Sequence, residues 1–357
     1  MTATLTVGGR EWGGWKSVTV RRSIEEVASS FEVSASVRYP GDDDPVQISA
    51  GSAVTVALDG ERVITGWIDS ASLSTTAEGR EVSISGRSKT CDLVDCSAIR
   101  EGGGWSNRTV AQIAADVCEP FDIDVMCDTD IGAPLTRARV QQGETCFDFL
   151  DRLARVRGLL LTDDPLGRLV ITRAGETVAQ GALTLPGNLL QSTIAIDASR
   201  RFSAYVCKGQ TAGDDNASGE TVAAVTGAVS DSGVTRYRPL VLAPPSAVNR
   251  EGAKVYAKWE AVTRYGQSAS YSGTVAGWLQ AKGGALWTPN QRVQVRDTSA
   301  GVDSSMLLVS ADYSQGDNGT KTSLALAPAQ GFSLLALPPR KGGSGGGMWA
   351  ELRGGVQ

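Results

Sequence analysis

Alternation of apolar and polar residues dominates the first ninety positions. From Phe31 to Tyr39 every odd position is apolar and every even position is polar, which is the period of a strand with one buried face. The same alternation over residues 54–58 runs up to Asp59-Gly60, a dipeptide that suits a two-residue hairpin turn. Short strands with turn signals about every ten residues, and no helix between them, are typical of all-β folds. This stretch therefore predicts a small β-barrel or sandwich.

The hydrophobic period changes after the first ninety residues. Thr109 and Gln112 have the spacing of a helical capping box, and an apolar helical face follows them. Thr145 is predicted to cap a second helix, which Gly158 ends in a left-handed conformation. Two short strands on either side of a turn at residues 163–167 predict a hairpin. This region is predicted to be an α+β module.

From about residue 190 the sequence returns to strands. Phe202, Ala204 and Val206 alternate with other residues and predict a strand with those three side chains on one face. The stretch 209–233 is rich in Gly, Ala, Asp and Ser and predicts a long exposed loop. Further strands are predicted at residues 271–279, 291–296, 305–313 and 320–327.

A helix is predicted near residues 246–265, beginning at Ser246. Its apolar stripe is predicted to comprise Val248, Val255, Tyr256, Trp259 and Val262. Trp259 is expected in the core because an indole has a large apolar area to bury.

Composition excludes several classes of enzyme. The sequence contains no histidine, which removes Ser-His and Cys-His nucleophile pairs, HExxH metalloprotease helices and the commonest zinc ligand. The six cysteines include no CxxC pair and are expected to be reduced and mostly buried. The glycine-rich segments at 101–104 and 342–347 lack the spacing of phosphate-binding loops. The second of these predicts a flexible linker before a frayed end.

Acidic residues leave one kind of enzyme open. A cluster of carboxylates lies at Asp122, Asp124, Asp128 and Asp130. It is expected to be a solvated face rather than a metal site, because no bidentate Glu or Gly follows at the spacing of a calcium loop. Paired carboxylates are nevertheless sufficient for glycoside hydrolysis. No cofactor or metal is predicted.

The charge is distributed unevenly. The formal net charge is −5, from 34 basic and 39 acidic groups, which is the wrong sign for a protein that wraps nucleic acid. Residues 1–180 hold 18 basic and 27 acidic groups, whereas residues 181–357 hold 16 and 12. Opposite charges can orient one subunit against another, and scattered solvated charge is the alternative. No apolar run is long enough to span a membrane and no signal peptide precedes the strands, so the chain is expected to stay in the cytoplasm where it is made.

Three segments, in order along the chain, resemble one family. They are Gly86–Cys96; Arg139–Thr145 with Phe149–Leu161, Asp164 and Gly167–Leu169; and Gly277–Trp278 with Gly284–Asn290 and Val293–Val295. Together they resemble the baseplate hub, or late control D-like tail protein, of phage Mu-type contractile tails, which is related in fold to the hub part of VgrG secretion spikes. Three spaced matches are far more specific than one short motif.

The resemblance implies a mainly β protein with an α+β insert. Each subunit would have two tube-like β-barrel domains, and three subunits would form a pseudo-hexameric ring. The implied divisions are a first barrel at 1–91, which strands near 180–200 could close; the insert at 92–178; a second barrel at 179–335 with a helical insertion near 246–265; and a flexible Gly-rich tail at 336–357.

The resemblance also implies partners and a location. The chain would form a homotrimer between a tail tube or tube-initiator protein above and a trimeric spike below, beside the baseplate wedge proteins. DNA would cross the lumen without specific binding, and this chain would enter no membrane. The protein would be assembled in the host cytoplasm and act in the virion tail baseplate, without catalysis. Two alternatives stay open: a phage-tail peptidoglycan hydrolase and the hub of a type VI-like secretion spike.

The motif residues are predicted to have structural roles. They are Gly86, Arg87, Asp92, Asp95, Gly143, Thr145, Gly158, Trp259, Gly277, Trp278, Trp287, Pro289 and Asn290. Arg87 is expected to form a charged corner with Asp92 and Asp95 between the first barrel and the insert, an exposed arginine being the alternative.

Glycines and tryptophans make up most of the remaining motif positions. Gly158, Gly277 and Gly284 are expected to adopt positive φ or to allow close approach of another chain segment. Trp278 and Trp287 are expected to be anchors of either the core or an interface.

Overall fold

The computed structural model describes residues 1–37, 48–76, 79–100, 102, 104–175, 177–209, 225–243 and 250–329. Four predicted features lie outside the described residues: the turn at Pro40-Gly41, the helix start at Ser246, Val248 of the predicted apolar stripe and the Gly-rich tail. The described chain is mainly β, as the alternation predicts.

Twenty-one strands and four α-helices are formed by the described residues. The strands are β1 (Ala3–Val7), β2 (Arg10–Trp12), β3 (Ser17–Ser23), β4 (Ser30–Val37), β5 (Ala53–Leu58), β6 (Glu61–Thr75), β7 (Arg80–Ser88), β8 (Gly104–Arg108), β9 (Val125–Cys127), β10 (Leu135–Arg139), β11 (Leu160–Asp163), β12 (Leu169–Thr172), β13 (Thr177–Leu185), β14 (Leu189–Ile196), β15 (Ala204–Gly209), β16 (Val225–Ser230), β17 (Pro239–Leu242), β18 (Ala269–Ala276), β19 (Gln291–Asp297), β20 (Val302–Gly316) and β21 (Gly319–Ala327). The helices are α1 (Cys91–Asp95), α2 (Val110–Cys118), α3 (Cys146–Val156) and α4 (Arg250–Gln267).

The chain folds into two compact units, each built from separate stretches of sequence. The first unit contains residues 1–180, 273–291 and 308–325, and the second contains the other described residues. Strands that are distant in sequence therefore share one unit, which local periodicity does not reveal.

The first unit is organised by a sheet in the order β18-β21-β20-β3-β4-β7-β6-β5-β1-β2. Phe31 and Val33 are buried on its inner face, as the alternation predicts. Asp59 and Gly60 connect β5 to β6 with φ values of 49° and 81°, which confirms the two-residue hairpin turn. Met1, at the start of β1, contacts Thr320 of β21 through its sulfur at 3.3 Å. The two ends of this strand order thus approach each other.

The strands near 180–200 belong to the same extended sheet as the strands of the first ninety residues but do not pair with them directly. β13 pairs with β19, and β14 pairs with β18. The strand that extends the first sheet is β20, in which Ser310 pairs with Ser23 of β3. Backbone pairing over almost 300 residues of separation leaves no local sequence signal.

The insert has its own core. The capping box is confirmed: the Gln112 N–H donates to Thr109 Oγ1 and the Thr109 N–H donates to Gln112 Oε1. α2 packs against α3, which Thr145 caps by accepting the Asp148 N–H. The centre of this core is Phe149, fully buried and stacked on Trp105.

Secondary structure in the rest of the insert follows the prediction and adds one pairing. β11 and β12 form the predicted antiparallel hairpin, and β9 adds in parallel to β12. Gly158 has φ of +59° and ends the α3 region as predicted. Four of the six cysteines are buried, and burial raises the pKa of the Cys118 thiol to about 12; that thiol therefore stays protonated.

In the second unit the more buried face of β15 is not the face that holds Phe202, Ala204 and Val206. Tyr205 and Cys207 are fully buried, whereas Phe202, Ala204 and Val206 are only partly buried. The reason is that α4 covers the face on which Tyr205 and Cys207 lie. In addition, the predicted loop 209–233 contains β16, which pairs with β15.

The buried stripe of α4 also differs from the prediction. It consists of small residues, Ala253, Ala257 and Ala261, together with Val262 and Gly266. Val255 is exposed, and Trp259 is only partly buried, stacked on Tyr256. The expectation of a core Trp259 is wrong because the helix approaches β16 closely: a Cβ added at Gly227 would lie 2.3 Å from the Lys254 backbone nitrogen.

Candidate functional site

The motif residues 86–96 fasten the first sheet to the insert. Arg87 donates from Nε to Asp69 Oδ2 at 2.7 Å and from Nη2 to Asp95 Oδ2 at 2.7 Å. The predicted pair with Asp95 is therefore present, whereas the second partner is Asp69 and not Asp92. A register shift between Ile68 and Ser70 in the β6–β7 ladder occurs at Asp69, and such bulges re-aim side chains.

The charged corner perturbs the protonation of its members. The hydrogen bond from Arg87 holds the pKa of the Asp95 carboxyl below its ordinary value. The same bonds to Asp95 and Asp69 raise the pKa of Arg87. Arg87 and Asp95 are therefore both charged at neutral pH, in a corner where Arg87 is one-third exposed.

Lys89 makes a second contact between the first sheet and the insert. Its ammonium donates to both the side chain and the backbone carbonyl of Asp122, the residue that ends the short 3₁₀ turn after α2. The distance from Lys89 Nζ to Asp122 Oδ2 is 2.7 Å. This bond lowers the pKa of Asp122, and it explains one member of the acidic cluster as an ion-pair partner.

Two other acidic residues of that cluster, Asp128 and Asp130, also have hydrogen-bond partners. Asp128 accepts from the Thr172 hydroxyl at 3.1 Å, and Asp130 accepts from the Gly132 N–H at 2.9 Å. In the parts of the chain that the structure describes, no group of three or more Cys, Asp and Glu side chains is arranged to hold a metal ion.

A buried carboxylate makes a third contact between the first sheet and the insert. Asp163, at the end of β11, accepts the Ser29 N–H at 3.0 Å and the Ser29 hydroxyl at 2.9 Å. Burial raises the pKa of Asp163, although Arg22 nearby opposes this shift. The sequence predicted only a turn at Asp163, because a partner 134 residues away leaves no local signal.

Backbone contacts bring the same segments together. The Thr65 hydroxyl donates to the Pro165 carbonyl at 2.8 Å. A Cβ at Gly86 would lie 2.2 Å from the Trp67 carbonyl oxygen, so that position requires glycine. We refer to the contacts of Arg87, Lys89 and Asp163 as the insert joint.

The second motif is tied to the first through the start of α3. The Cys146 N–H donates to the Cys96 carbonyl at 2.9 Å, and Ser97 forms an isolated bridge with the helix cap Thr145. Gly143 has φ of +83° in the turn before the cap. The two motifs thus form one continuous piece of structure.

The third motif forms a clasp in the first unit. Asn290, which has φ of +70°, accepts the Gly175 N–H at 2.9 Å and donates from Nδ2 to the Arg173 carbonyl at 2.9 Å. Its own N–H donates to the Leu308 carbonyl. Pro289 precedes it in the same turn. The end of the insert is therefore bound to β20.

Both tryptophans of this motif belong to the core. Trp278 is fully buried and donates from Nε1 to the Ser314 carbonyl at 3.1 Å, and the Tyr313 hydroxyl donates to the carbonyl of the buried Trp287. Gly277 has positive φ as predicted, and Gly284, which does not, allows close approach instead: a Cβ added there would lie 3.3 Å from the Ala281 carbonyl oxygen.

A cleft lies in the surface of the insert beside α2. It has a volume of about 610 Å³ and is lined by Ile99, Arg100, Trp105 and Asp116 among others. Trp105 Nε1 and Arg100 both donate to the Asp116 carboxylate, at 2.8 and 3.3 Å. This carboxylate thus holds the cleft wall together.

Among the described residues no helix combines the length and apolarity that a membrane crossing requires.

Known families match the chain in three separate parts, the third after a gap of 75 residues. Residues 2–88 match the family described as Mu phage baseplate assembly protein GpP-like, N-terminal. Residues 90–173 match Baseplate hub protein gp44-like, second domain. Residues 249–335 match Mu phage baseplate assembly protein GpP, fourth domain.

Individual proteins are similar over almost the whole chain. Baseplate hub protein gp44 of Escherichia phage Mu is 36% identical, covering 97% of this chain and 92% of that protein. The 43 kDa tail protein of prophage MuSo2 from Shewanella oneidensis has a TM-score of 0.85 at 36% identity, covering 93% of this chain and 100% of that one. The tail protein from Neisseria meningitidis MC58 has a TM-score of 0.81 at 24% identity, with 93% and 98% covered.

A more distant likeness concerns the fold alone. The E. coli c3393 protein, a component of the type VI secretion system, has a TM-score of 0.56 at 10% identity, covering 91% of this chain and 76% of that one. The identity to gp44 and the order of the three family matches indicate the same family as the sequence motifs whose residues form the insert joint and the clasp. The chain belongs to the phage Mu-type baseplate hub family and is a component of the virion tail.

Proposed function

We propose that three copies of this hub close a ring that joins the tail tube to a trimeric spike and lets DNA pass during ejection. The observation that carries this proposal is the 36% identity to the Mu baseplate hub protein over 97% of the chain. In this role the chain is a structural part and catalyses no reaction. The insert joint and the clasp would keep the insert in a fixed orientation on the ring.

The ring requires two tube-like barrels in each copy, and strand connectivity supports them. In the first unit, Met1 at one end of the strand order contacts Thr320 near the other. In the second unit, β13 and β14 pair with different strands yet are joined by only Pro186–Asn188. So short a turn between the end strands favours a curled sheet, although among the described strands β13 and β14 do not pair with each other. We further propose the divisions 1–91, 92–178 and 179–335, which the family matches at 2–88 and 90–173 support.

Passage of DNA is supported by the sign of the charge. The chain has a formal net charge of −5, and an acidic or neutral lumen would not retain phosphates by counterion release. The tail tube, the spike and the wedge proteins would then be the protein partners of the hub.

The mass of the purified protein in solution tests this function. Light scattering should give three times 37.3 kDa, about 112 kDa. A monomer at every concentration, with and without a spike protein of the same tail, would contradict the ring.

Two alternatives are tested separately. A peptidoglycan hydrolase would lower the turbidity of a cell-wall suspension in which lysozyme is the positive control; we expect no change. A secretion-spike hub is favoured by fold likeness alone, for example to the E. coli c3393 protein. It would be supported if the hub bound the tube of a secretion system and not a phage tail tube.

A further inference from the structure

An open strand edge occurs in the first unit. β6 pairs with β5 only as far as Trp67, whereas its pairing with β7 continues to Thr75. Over Asp69–Thr75, which we call the ribbon edge, every residue is exposed, and Leu73 is 60% exposed. In the described parts of the chain no strand pairs with the ribbon edge on the side away from β7.

The ribbon edge has none of the features that normally protect such strands. Residues 70–75 are Ser, Ala, Ser, Leu, Ser and Thr, without a charge or a proline. Soluble proteins usually blunt an exposed edge with lysine, proline or a covering segment, because an unprotected edge pairs with other chains. Apart from Asp69, whose carboxylate binds Arg87, the ribbon edge is uncharged, and an open edge of this length is a template for strand addition.

A second open edge occurs in the second unit. β14 is the terminal strand of its sheet and pairs, among described strands, with β18 alone. The twenty residues 177–196 contain no charged side chain, and β14 itself contains no proline. Leu190 is 59% exposed and Ile196 is 42% exposed. We call Leu189–Ile196 the β14 edge.

A third edge strand serves as the contrast. β17 lies at the end of the sheet β16-β15-β17. It begins with Pro239 and follows Arg236 and Arg238, so it has the proline and positive charges that discourage pairing. The ribbon edge and the β14 edge lack both.

Charge favours contact between different units of two copies. The described residues of the first unit include 19 basic and 23 acidic side chains, a balance of −4. Those of the second unit include 11 and 6, a balance of +5. Like units of two copies repel, and unlike units attract. A contact between two different surfaces of identical chains is heterologous and closes into a ring when the rotation permits.

We propose that the β14 edge of one copy adds as a strand to the ribbon edge of the next copy, and that this pairing closes the trimer. The inference rests on the ring proposed above and assigns its subunit contact. The occupant of each edge is a second copy of this chain, since each copy presents both edges, one on the unit with a negative charge balance and the other on the unit with a positive one.

The test uses lysine substitutions at exposed positions. Leu73→Lys and Leu190→Lys each place a charge on one of the two edges, and Val241→Lys is the matched control on β17, where the side chain is 60% exposed. We expect the wild type and Val241→Lys to be trimeric by light scattering. Leu73→Lys and Leu190→Lys should be monomeric at concentrations at least tenfold above those at which the wild type is trimeric. Melting curves within a few degrees of the wild type confirm folding of the variants.

Mixing the two edge variants gives the sharpest result. A Leu73→Lys copy keeps an intact β14 edge, and a Leu190→Lys copy keeps an intact ribbon edge. One good contact can form between them, so the mixture should give dimers of about 75 kDa, twice 37.3 kDa, and no trimers.

Each contrary outcome has a distinct meaning. If both edge variants remain trimeric beside a trimeric wild type, the assigned contact is wrong and the ring stands. If the mixture stays monomeric, the pairing of these two edges is overturned. If the wild type is a monomer at every concentration, the ring and the contact inferred from it fail together.

Discussion

At the scale of single residues, Arg87 is the clearest case of a role that the sequence indicates only in part. The family motif and the charge of Asp95 predict one of its ion pairs. The other partner, Asp69, is positioned by a bulge between paired strands. Chain neighbours are visible in the sequence, whereas partners across a ladder depend on register.

We expect Arg87→Ala to lower the free energy of unfolding by about 1–2 kcal/mol, because two charge-assisted contacts of a one-third exposed side chain are lost. Urea titration measures this change. The control is Arg296→Ala, whose 3.7 Å ion pair is mostly exposed and should have almost no effect.

The effect of Arg87→Ala should also depend on pH. The lowered pKa of Asp95 means that its contribution is complete above the ordinary value near 3.9 and is lost as the pH falls through the value in the folded protein. The difference between wild type and variant should therefore shrink in acid. A difference that is unchanged at about pH 3 would contradict the assignment to Asp95.

The stability that Asp163 contributes is expected to change with pH in the opposite direction to that of Asp95. Asp163→Ala leaves the Ser29 N–H and hydroxyl without their acceptor and should cost about 2–4 kcal/mol, whereas Asp163→Asn keeps one acceptor oxygen and should cost less. Because burial raises the pKa of Asp163, the wild type loses stability as the pH rises above about 4 toward the raised value. The stability of Asp163→Asn relative to wild type should increase over the same range. Urea titrations from acid to neutral pH measure both, and a constant difference would contradict the raised pKa.

At the scale of elements, the sequence correctly predicted the turns and helix caps that depend on residues close together in the chain. The Asp59-Gly60 hairpin, the capping box at Thr109 and the cap at Thr145 are all present. Errors arose where tertiary packing chooses the face. On β15 the buried residues are Tyr205 and Cys207, and on α4 they are alanines, because helix and sheet approach closely at Gly227. Periodicity identifies two faces of an element but not which one another element covers.

This close approach makes Gly227→Ala a strong test of the second unit. The added Cβ would lie 2.3 Å from the Lys254 nitrogen, so α4 must move, and we expect a cost of about 3 kcal/mol. Gly316→Ala is the control, since a Cβ added there would have no neighbouring atom within 4 Å. Urea titration of both variants measures the difference; equal stabilities would mean that α4 does not pack as described.

At the scale of the whole molecule, the two units have opposite charge balances among their described residues. If unlike units meet in the trimer, added salt should weaken it, because screening shortens the range of the attraction from about 10 Å at 0.1 M to about 3 Å at 1 M. Light scattering across this range should find a rising dissociation concentration. A trimer that is indifferent to salt would mean that charge does not contribute to the contact.

The sequence by itself determined the class of the fold, the hairpins and helix caps, and the family, because each depends on residues close in the chain or on motifs read in order. Only the tertiary structure decided that β20 extends the sheet of the first ninety residues, that Asp163 binds Ser29, and that Asn290 holds the end of the insert. These contacts join residues more than 100 positions apart. Their energy depends on distance in space, which the order of residues along the chain does not record.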